Sequence, residues 1–170
     1  MNPDLDKGRR FLAAHGPQGV ICAGVTGAHY YGFPSPDSDL DLKGIHAADT
    51  RAMVSLRPPP DAIDFLGDFE GLEIDYTSHE LAAAIRLLLK GNGNILERIL
   101  SPFQLREDDT TTELQALARG AVTQRFFHHY RGFFGRMRDD WQKAETKTVK
   151  GLLYTYPSAL TGIHLLRTGE

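Results

Sequence analysis

Asp39 and Asp41 stand two residues apart in the run Ser38-Asp39-Leu40-Asp41-Leu42. On a β-strand alternate side chains leave the same face, so both carboxylates point one way and Leu40 and Leu42 the other. Two adjacent carboxylates repel each other unless a cation lies between them. Their hard oxygens suit Mg2+ or Mn2+, whose remaining ligands are water and phosphate oxygens. A solvent-facing edge strand would also tolerate aspartate. Aspartate is disfavoured in strands, however, and two in register point to a metal ledge on a packed sheet. Upstream, Gly24, Gly27 and Gly32 punctuate a turn after an apolar run. Glycines let backbone amides approach phosphate closely, and a helix starting at Ala28 would add free N–H groups. Amides for a triphosphate and carboxylates for its metal support each other.

The elements that must hold these residues read as mixed α/β, then all-helical. Residues 4–15 form a helix that ends near Gly16-Pro17, and Gly19 to Val25 is a short buried strand. Leu40 to His46 alternates as a second strand. Arg57-Pro58-Pro59-Pro60 is a stiff loop, and Ala62 to Phe65 and Leu72 to Tyr76 are further strands. Thr77 to Glu80 has the spacing of a capping box, with Thr77 as N-cap of a helix through Leu89 that stops at Gly91. Asn94 to Glu97 and Thr110 to Glu113 repeat that spacing. Apolar residues from Leu114 to Trp141 then recur at helical intervals, in one long helix or two. A last helix spans Lys150 to Leu166, with a kink at Pro157.

The composition sets wider bounds. With 170 residues, 41% of them hydrophobic, the chain can bury a core. Its single cysteine, Cys22, excludes a disulfide framework and a cysteine-rich zinc site, and reads as a small buried side chain. No apolar stretch reaches membrane-spanning length, and the N-terminus lacks the apolar core of a signal peptide, so a cytoplasmic setting is expected. Residues 1–112 carry a surplus of acid and residues 113–170 a surplus of base. An acidic half could gather metal and a basic half could meet phosphate, but on charge alone two ordinary solvated surfaces are the better reading.

The segment from Gly24 to His46 resembles the nucleotidyltransferase superfamily of DNA polymerase β. The signature of that superfamily is Gly-Gly or Gly-Ser, a spacer of about ten residues, and Asp-x-Asp on a strand. Here Gly27-Ala28 precedes a ten-residue spacer and then Asp39-Leu40-Asp41. More narrowly, Gly27, Tyr31, Gly32, Ser38, Asp39, Asp41 and Gly44 match a pattern of nucleotidyltransferases associated with RNA-repair pathways. EIDYTSHEL, KGNGNILERI and LLYTYPSALTGIHLLRTGE extend the likeness along most of the chain. The resemblance implies a minimal α/β nucleotidyltransferase core (α+β, a short mixed sheet flanked by helices) over residues 1–109. A helical segment follows over residues 110–170, and relatives are expected to continue beyond it. It also implies Mg2+ or Mn2+ held by Asp39, Asp41 and a third carboxylate on a later strand, Asp75, with Glu73 as its rival on the same face. Thr26, Gly27, Ala28, Tyr31 and Ser38 would line the nucleotide. The expected activity is two-metal transfer of a nucleotide from a nucleoside triphosphate such as ATP to an acceptor hydroxyl, with an RNA end as acceptor. Two departures from the pattern keep other readings open. Ala28 stands where a small hydroxyl residue or glycine is usual, and Pro157 where an arginine is expected. The alternatives are a non-catalytic nucleotide or RNA sensor, and an adenylyltransferase that modifies a partner protein.

Other polar residues have plainer explanations. His29 lines either the nucleotide pocket or only its turn. Lys43, taken as one position beyond the aspartate pair, is expected to face away from it. Glu97 reads as a capping partner, and His128 and His129 as packing or surface residues. Most of Arg125, Arg131, Arg136, Arg138, Lys143, Lys147 and Lys150 read as a solvated helical face.

Overall fold

The computed structural model describes residues 3–35 and 38–169. Met1 and Asn2 of the N-terminal reading, Pro36 and Asp37 of the turn-rich segment, and Glu170 of the closing block lie outside the described residues. The chain starts with α1 (Leu5–His15), β1 (Val20–Val25), the short α2 (Gly27–Tyr31) and β2 (Leu40–His46). A one-turn helix, α3 (Thr50–Met53), is followed by the hairpin of β3 (Ala62–Phe69) and β4 (Leu72–Glu80). Helices α4 (Leu81–Leu89), α5 (Gly93–Leu100), α6 (Asp109–Gly120), α7 (Phe126–Lys143), α8 (Val149–Leu153) and α9 (Thr155–Thr168) complete it.

The strands form one mixed sheet in the order β1-β2-β4-β3. β2 runs antiparallel to β1 and parallel to β4, and β3 closes antiparallel on β4. The β2–β4 register sets Asp41 opposite Asp75 and Lys43 opposite Thr77. The sheet carries apolar material on both faces. Leu40, Leu42, Ile74 and Tyr76 pack with Phe11 of α1 and with Leu105. Cys22 and Ile45 join Ala84, Leu88, Ile95, Ile99, Leu114, Ala118, Phe126, Tyr130 and Leu165, so one cluster spans the sheet and the C-terminal helices. By strand parity Ile45 shares the face of Asp39, Asp41 and Lys43. The aspartates therefore stand at the leading end of a face that turns apolar further along, where α4 and α5 pack.

Several element ends differ from the sequence reading. β4 continues through Thr77, Ser78 and His79 because both neighbouring strands offer backbone partners there. The cap of α4 is Glu80, whose carboxylate accepts from the N–H groups of Ala82 and Ala83, and not Thr77. Asn92 caps α5 and Asp108 caps α6, in place of Asn94 and Thr110, because their side chains reach the N–H groups of Ile95 and Thr111. β3 is longer than expected, since Glu70 (φ 52°) and Gly71 (φ 74°) form a two-residue turn that keeps the strands paired up to Phe69 and Leu72. Pro157 falls in the first turn of α9, where its missing N–H has no intrahelical partner to lose, so the break lies before it, between α8 and α9.

Candidate nucleotidyltransferase site

β2 begins at Leu40, which leaves Asp39 just ahead of it and Asp41 within it. Both side chains are half-buried, while Leu40 and Leu42 are buried on the opposite face. The loop that delivers Asp39 is tied by Ser38. Its buried hydroxyl accepts from the Ser35 N–H at 2.8 Å and lies 3.0 Å from the Ser35 hydroxyl. Ser38 thus shapes the loop, with its oxygen already engaged.

The glycine turn meets the aspartates directly. The Thr26 N–H donates to the Asp41 carbonyl at 2.9 Å, joining the end of β1 to the start of β2. Gly27 opens α2 with φ 63°, in the left-handed region, and any Cβ there would overlap the Asp41 carboxylate. Thr26 occupies the N-cap position but its side chain makes no capping bond, so it leaves the first amides of α2 to other acceptors. The Ala28 side chain is buried, and this residue has only its backbone to offer a ligand. The Tyr31 hydroxyl is spent on Glu97, at 2.8 Å, and both residues line the cleft. His29 does not line that cleft.

The cleft has a volume of about 330 Å³, and Gly27, Asp41 and Lys43 share its lining with Arg98, Met137 and Tyr154. Its electrostatics centre on Asp41. Burial, then the charge of Asp39, and to a smaller degree Asp75, push the Asp41 carboxyl up to about 6, against the pull of Lys43 and Lys150. Asp75 lies across from Asp41, but its carboxylate is in an ion pair with Lys43, Nζ to Oδ1 at 2.9 Å. Lys43 therefore faces the aspartates, contrary to expectation, because position 43 has the parity of 39 and 41. Glu73 is exposed and pairs in register with Asp68.

Glu97 is not a capping partner. Its carboxylate accepts from the hydroxyls of Tyr31 (2.8 Å) and Tyr130 (3.2 Å), clasping α2, α5 and α7 together in the wall of the cleft. Burial raises its pKa, and the tyrosine bonds oppose that shift. Glu97→Ala would strand two largely buried hydroxyls at a cost of about 1–3 kcal/mol. The expected result is a clear drop in Tm for Glu97→Ala and a smaller one for Glu97→Gln, whose amide oxygen accepts from one tyrosine while its NH2 donates to the other hydroxyl. Equal melting of both variants by circular dichroism would refute the clasp.

Sequence reasoning missed Tyr154 and the influence of Lys150. Tyr154 lines the cleft, and the charges of Asp41 and Asp39 raise the pKa of its hydroxyl, after burial. Several other basic residues are engaged locally. Arg131 lies over Phe127, Lys147 over Trp141, and Arg138 pairs with Asp139. Arg98, on α5, is buried and lowered to about 10 by that burial. It donates to the Gly44 carbonyl at 3.0 Å and meets His79 Nδ1 at 2.6 Å.

A divalent cation fits the Asp39–Asp41 pair. The donors are hard oxygens, and the bare Gly27 leaves the space that Asp41 occupies. Among the described residues no three His, Cys, Asp or Glu side chains gather to hold a metal ion, so the pair would complete its ligands with phosphate and water oxygens. No helix among the described residues is long and apolar enough to cross a membrane.

A glycine turn packed against an Asp-x-Asp strand in a small mixed sheet is the arrangement of a nucleotidyltransferase-like protein. One of that description from Exiguobacterium sibiricum superposes on 99% of this chain and 59% of its own, with a TM-score of 0.51 at 10% identity, which shows the shared fold. The chain belongs to the RNA repair pathway DNA polymerase beta family, which it matches over residues 6–170. It is 28% identical over 147 residues to the uncharacterised protein MJ0002 of Methanocaldococcus jannaschii, covering 86% of this chain and 60% of that protein. It is 27% identical over 153 residues to the uncharacterised protein YcgL of Bacillus subtilis, covering 88% of this chain and 57% of that one. The chain thus spans about three fifths of the length of these relatives.

Proposed function

We propose that this chain transfers a nucleotide from a nucleoside triphosphate to an acceptor hydroxyl, with Mg2+ or Mn2+ as cofactor and an RNA end as acceptor. The observation that carries this reading is the meeting of three features: the Asp39–Asp41 pair, the Gly27 turn packed on Asp41, and Asp75 in register across β4. When bound, the cation screens the triphosphate charge and fixes its oxygens. Asp39 and Asp41 hold that cation. The first amides of α2, with Thr26 and Gly27, face the terminal phosphates, and the rings of Tyr31 and Tyr154 flank the nucleotide. Asp75 orients the acceptor hydroxyl. The hydroxyl oxygen bonds to the α-phosphorus, the bond from that phosphorus to the β-phosphate bridging oxygen breaks, pyrophosphate leaves, and the hydroxyl proton passes to water. Position and charge do most of the work.

The RNA end is favoured by the family description and by the basic surplus of the C-terminal segment. A phosphate-dominated grip of that kind weakens steeply with salt. The test is incubation with labelled nucleoside triphosphates, Mg2+ or Mn2+, and short RNA or cell lysate. Label on RNA, lost at high salt and in Asp41→Ala, is the expected result. Label confined to a protein band would point instead to an adenylylating enzyme. Binding without transfer would point to a sensor, a reading favoured by the buried Ala28 side chain, which offers phosphate no hydroxyl.

Asp75→Asn is expected to keep cation-dependent triphosphate binding and lower turnover, with Glu73→Gln unchanged in both. Loss of turnover from Glu73→Gln alone would assign the acceptor side to Glu73.

A further inference from the structure

We propose that Lys43 takes the place of an acceptor-side metal ion, so that the site binds a single divalent cation, at Asp39 and Asp41. The inference rests on the nucleotidyl-transfer reading above and concerns how its acceptor side is built. Strand parity puts Asp39, Asp41 and Lys43 on one face of β2, and the parallel register puts Asp75 and Thr77 beside them on β4. Lys43 does not stay level with its register partner Thr77, whose hydroxyl it meets at 3.4 Å. It leans one pleat towards the carboxylates and pairs with Asp75 at 2.9 Å.

This pair differs from the other ion pairs of the described residues. The Lys43 side chain is 21% exposed, whereas every other member of an ion pair is at least 35% exposed. Exposed pairs of that kind form and break at little cost, whereas breaking this one would leave a largely shielded ammonium without its counter-charge, although Asp75 itself is 41% exposed. Three further observations converge on a single ion. No three acidic or imidazole side chains among the described residues share a metal-binding point. Without a phosphate ligand, the ionised Asp39, Asp41 and Asp75 with Lys43 leave two negative charges, which one divalent ion offsets. Lys43 also lines the cleft beside Asp41, and its ammonium has three donors. One donor is held by Asp75 and a second leans on Thr77, so the third is free for an oxygen of the acceptor or of the α-phosphate. Lys43 is thus a positioning residue that fixes Asp75 and presents a fixed positive charge where a mobile ion would otherwise sit.

The experiment counts bound Mn2+ by electron paramagnetic resonance, using the full chain with inorganic tripolyphosphate as probe. The parent, Lys43→Ala, Lys43→Gln and Lys43→Ala/Asp75→Asn are compared, with folding checked by circular dichroism. The parent is expected to hold about one Mn2+ per chain. Both Lys43 variants should hold about two, and the double variant about one again, because the second ion needs a free Asp75. Lys43→Gln removes the charge but keeps a polar side chain only one atom shorter than lysine, so a second ion there cannot be laid to a collapsed strand. A parent that holds two ions would overturn the inference and leave the nucleotidyl-transfer reading standing. Lys43 variants that still hold one would do the same. A parent that holds none would overturn both.

Discussion

Asp41→Asn is expected to abolish cation-dependent triphosphate binding and nucleotide transfer while leaving the fold as stable as before, or slightly more so. Asp41 is the carboxylate on which burial and the charges of Asp39 and Asp75 converge, and its pKa rises from the ordinary 3.8 to about 6. A carboxyl that holds its proton more tightly folded than unfolded destabilises the cation-free fold on ionisation. The stability of the cation-free protein should therefore fall as pH rises from about 4 through about 6. Asparagine removes the charge and with it most of that slope. Cation binding has the opposite dependence, because the ligand is the ionised carboxylate. Affinity for Mn2+ and tripolyphosphate should rise as pH climbs through about 6 and level off above it. Calorimetric titrations at a series of pH values, set beside thermal melts without metal, test both halves. An Asp41→Asn chain that binds as the parent does, or one that unfolds, would end the reading of Asp41 as a cation ligand.

β2 was readable from sequence because its alternation is local: Leu40 and Leu42 bury on one side while Asp39 and Asp41 stay on the other. The same rule of two places Lys43 with the aspartates, and the expectation that it faces away failed by treating it as one position beyond the pair. Other misses arose where long-range partners overrode a local motif. Thr77 and Glu80 have capping-box spacing, yet backbone partners on β2 and β3 hold Thr77 in the sheet. Glu97 also sits at capping spacing, but its partners are tyrosines 66 and 33 positions away. Tyr154 and Lys150 come near Asp41 only through the packing of the C-terminal helices, which no spacing within the motif encodes. Of the candidate site, then, the strand positions of Asp39, Asp41 and Asp75 and the glycine turn beside them were legible. The groups that enclose them were not.

Gly27→Ala is expected to disable the site more than the fold. Gly27 sits at φ 63°, where an L side chain costs about 1–2 kcal/mol. The added Cβ would overlap the Asp41 carboxylate and lie 2.6 Å from its Cγ and 3.1 Å from its Cβ. The oxygen could swing aside, but the Asp41 Cβ is fixed to β2, whose main chain bonds to Thr26 and pairs with β4. Relief must therefore come from rotating the carboxylate away from the cation position or from lifting α2 off the strand. Either movement separates the first amides of α2 from the carboxylates, and a misplacement on the order of 1 Å can cost about 100-fold in rate. The Tm should drop by only a few degrees, while affinity for Mn2+ with tripolyphosphate falls at least about tenfold, a loss of about 1.4 kcal/mol. A double-mutant cycle separates the two sources of cost. Asp41→Ala removes the overlapping carboxylate and leaves the backbone penalty, so Gly27→Ala should destabilise the Asp41→Ala chain less than the parent. If Gly27→Ala binds the cation and tripolyphosphate as tightly as the parent, the turn and the aspartate are not the paired halves of one phosphate-and-metal cradle.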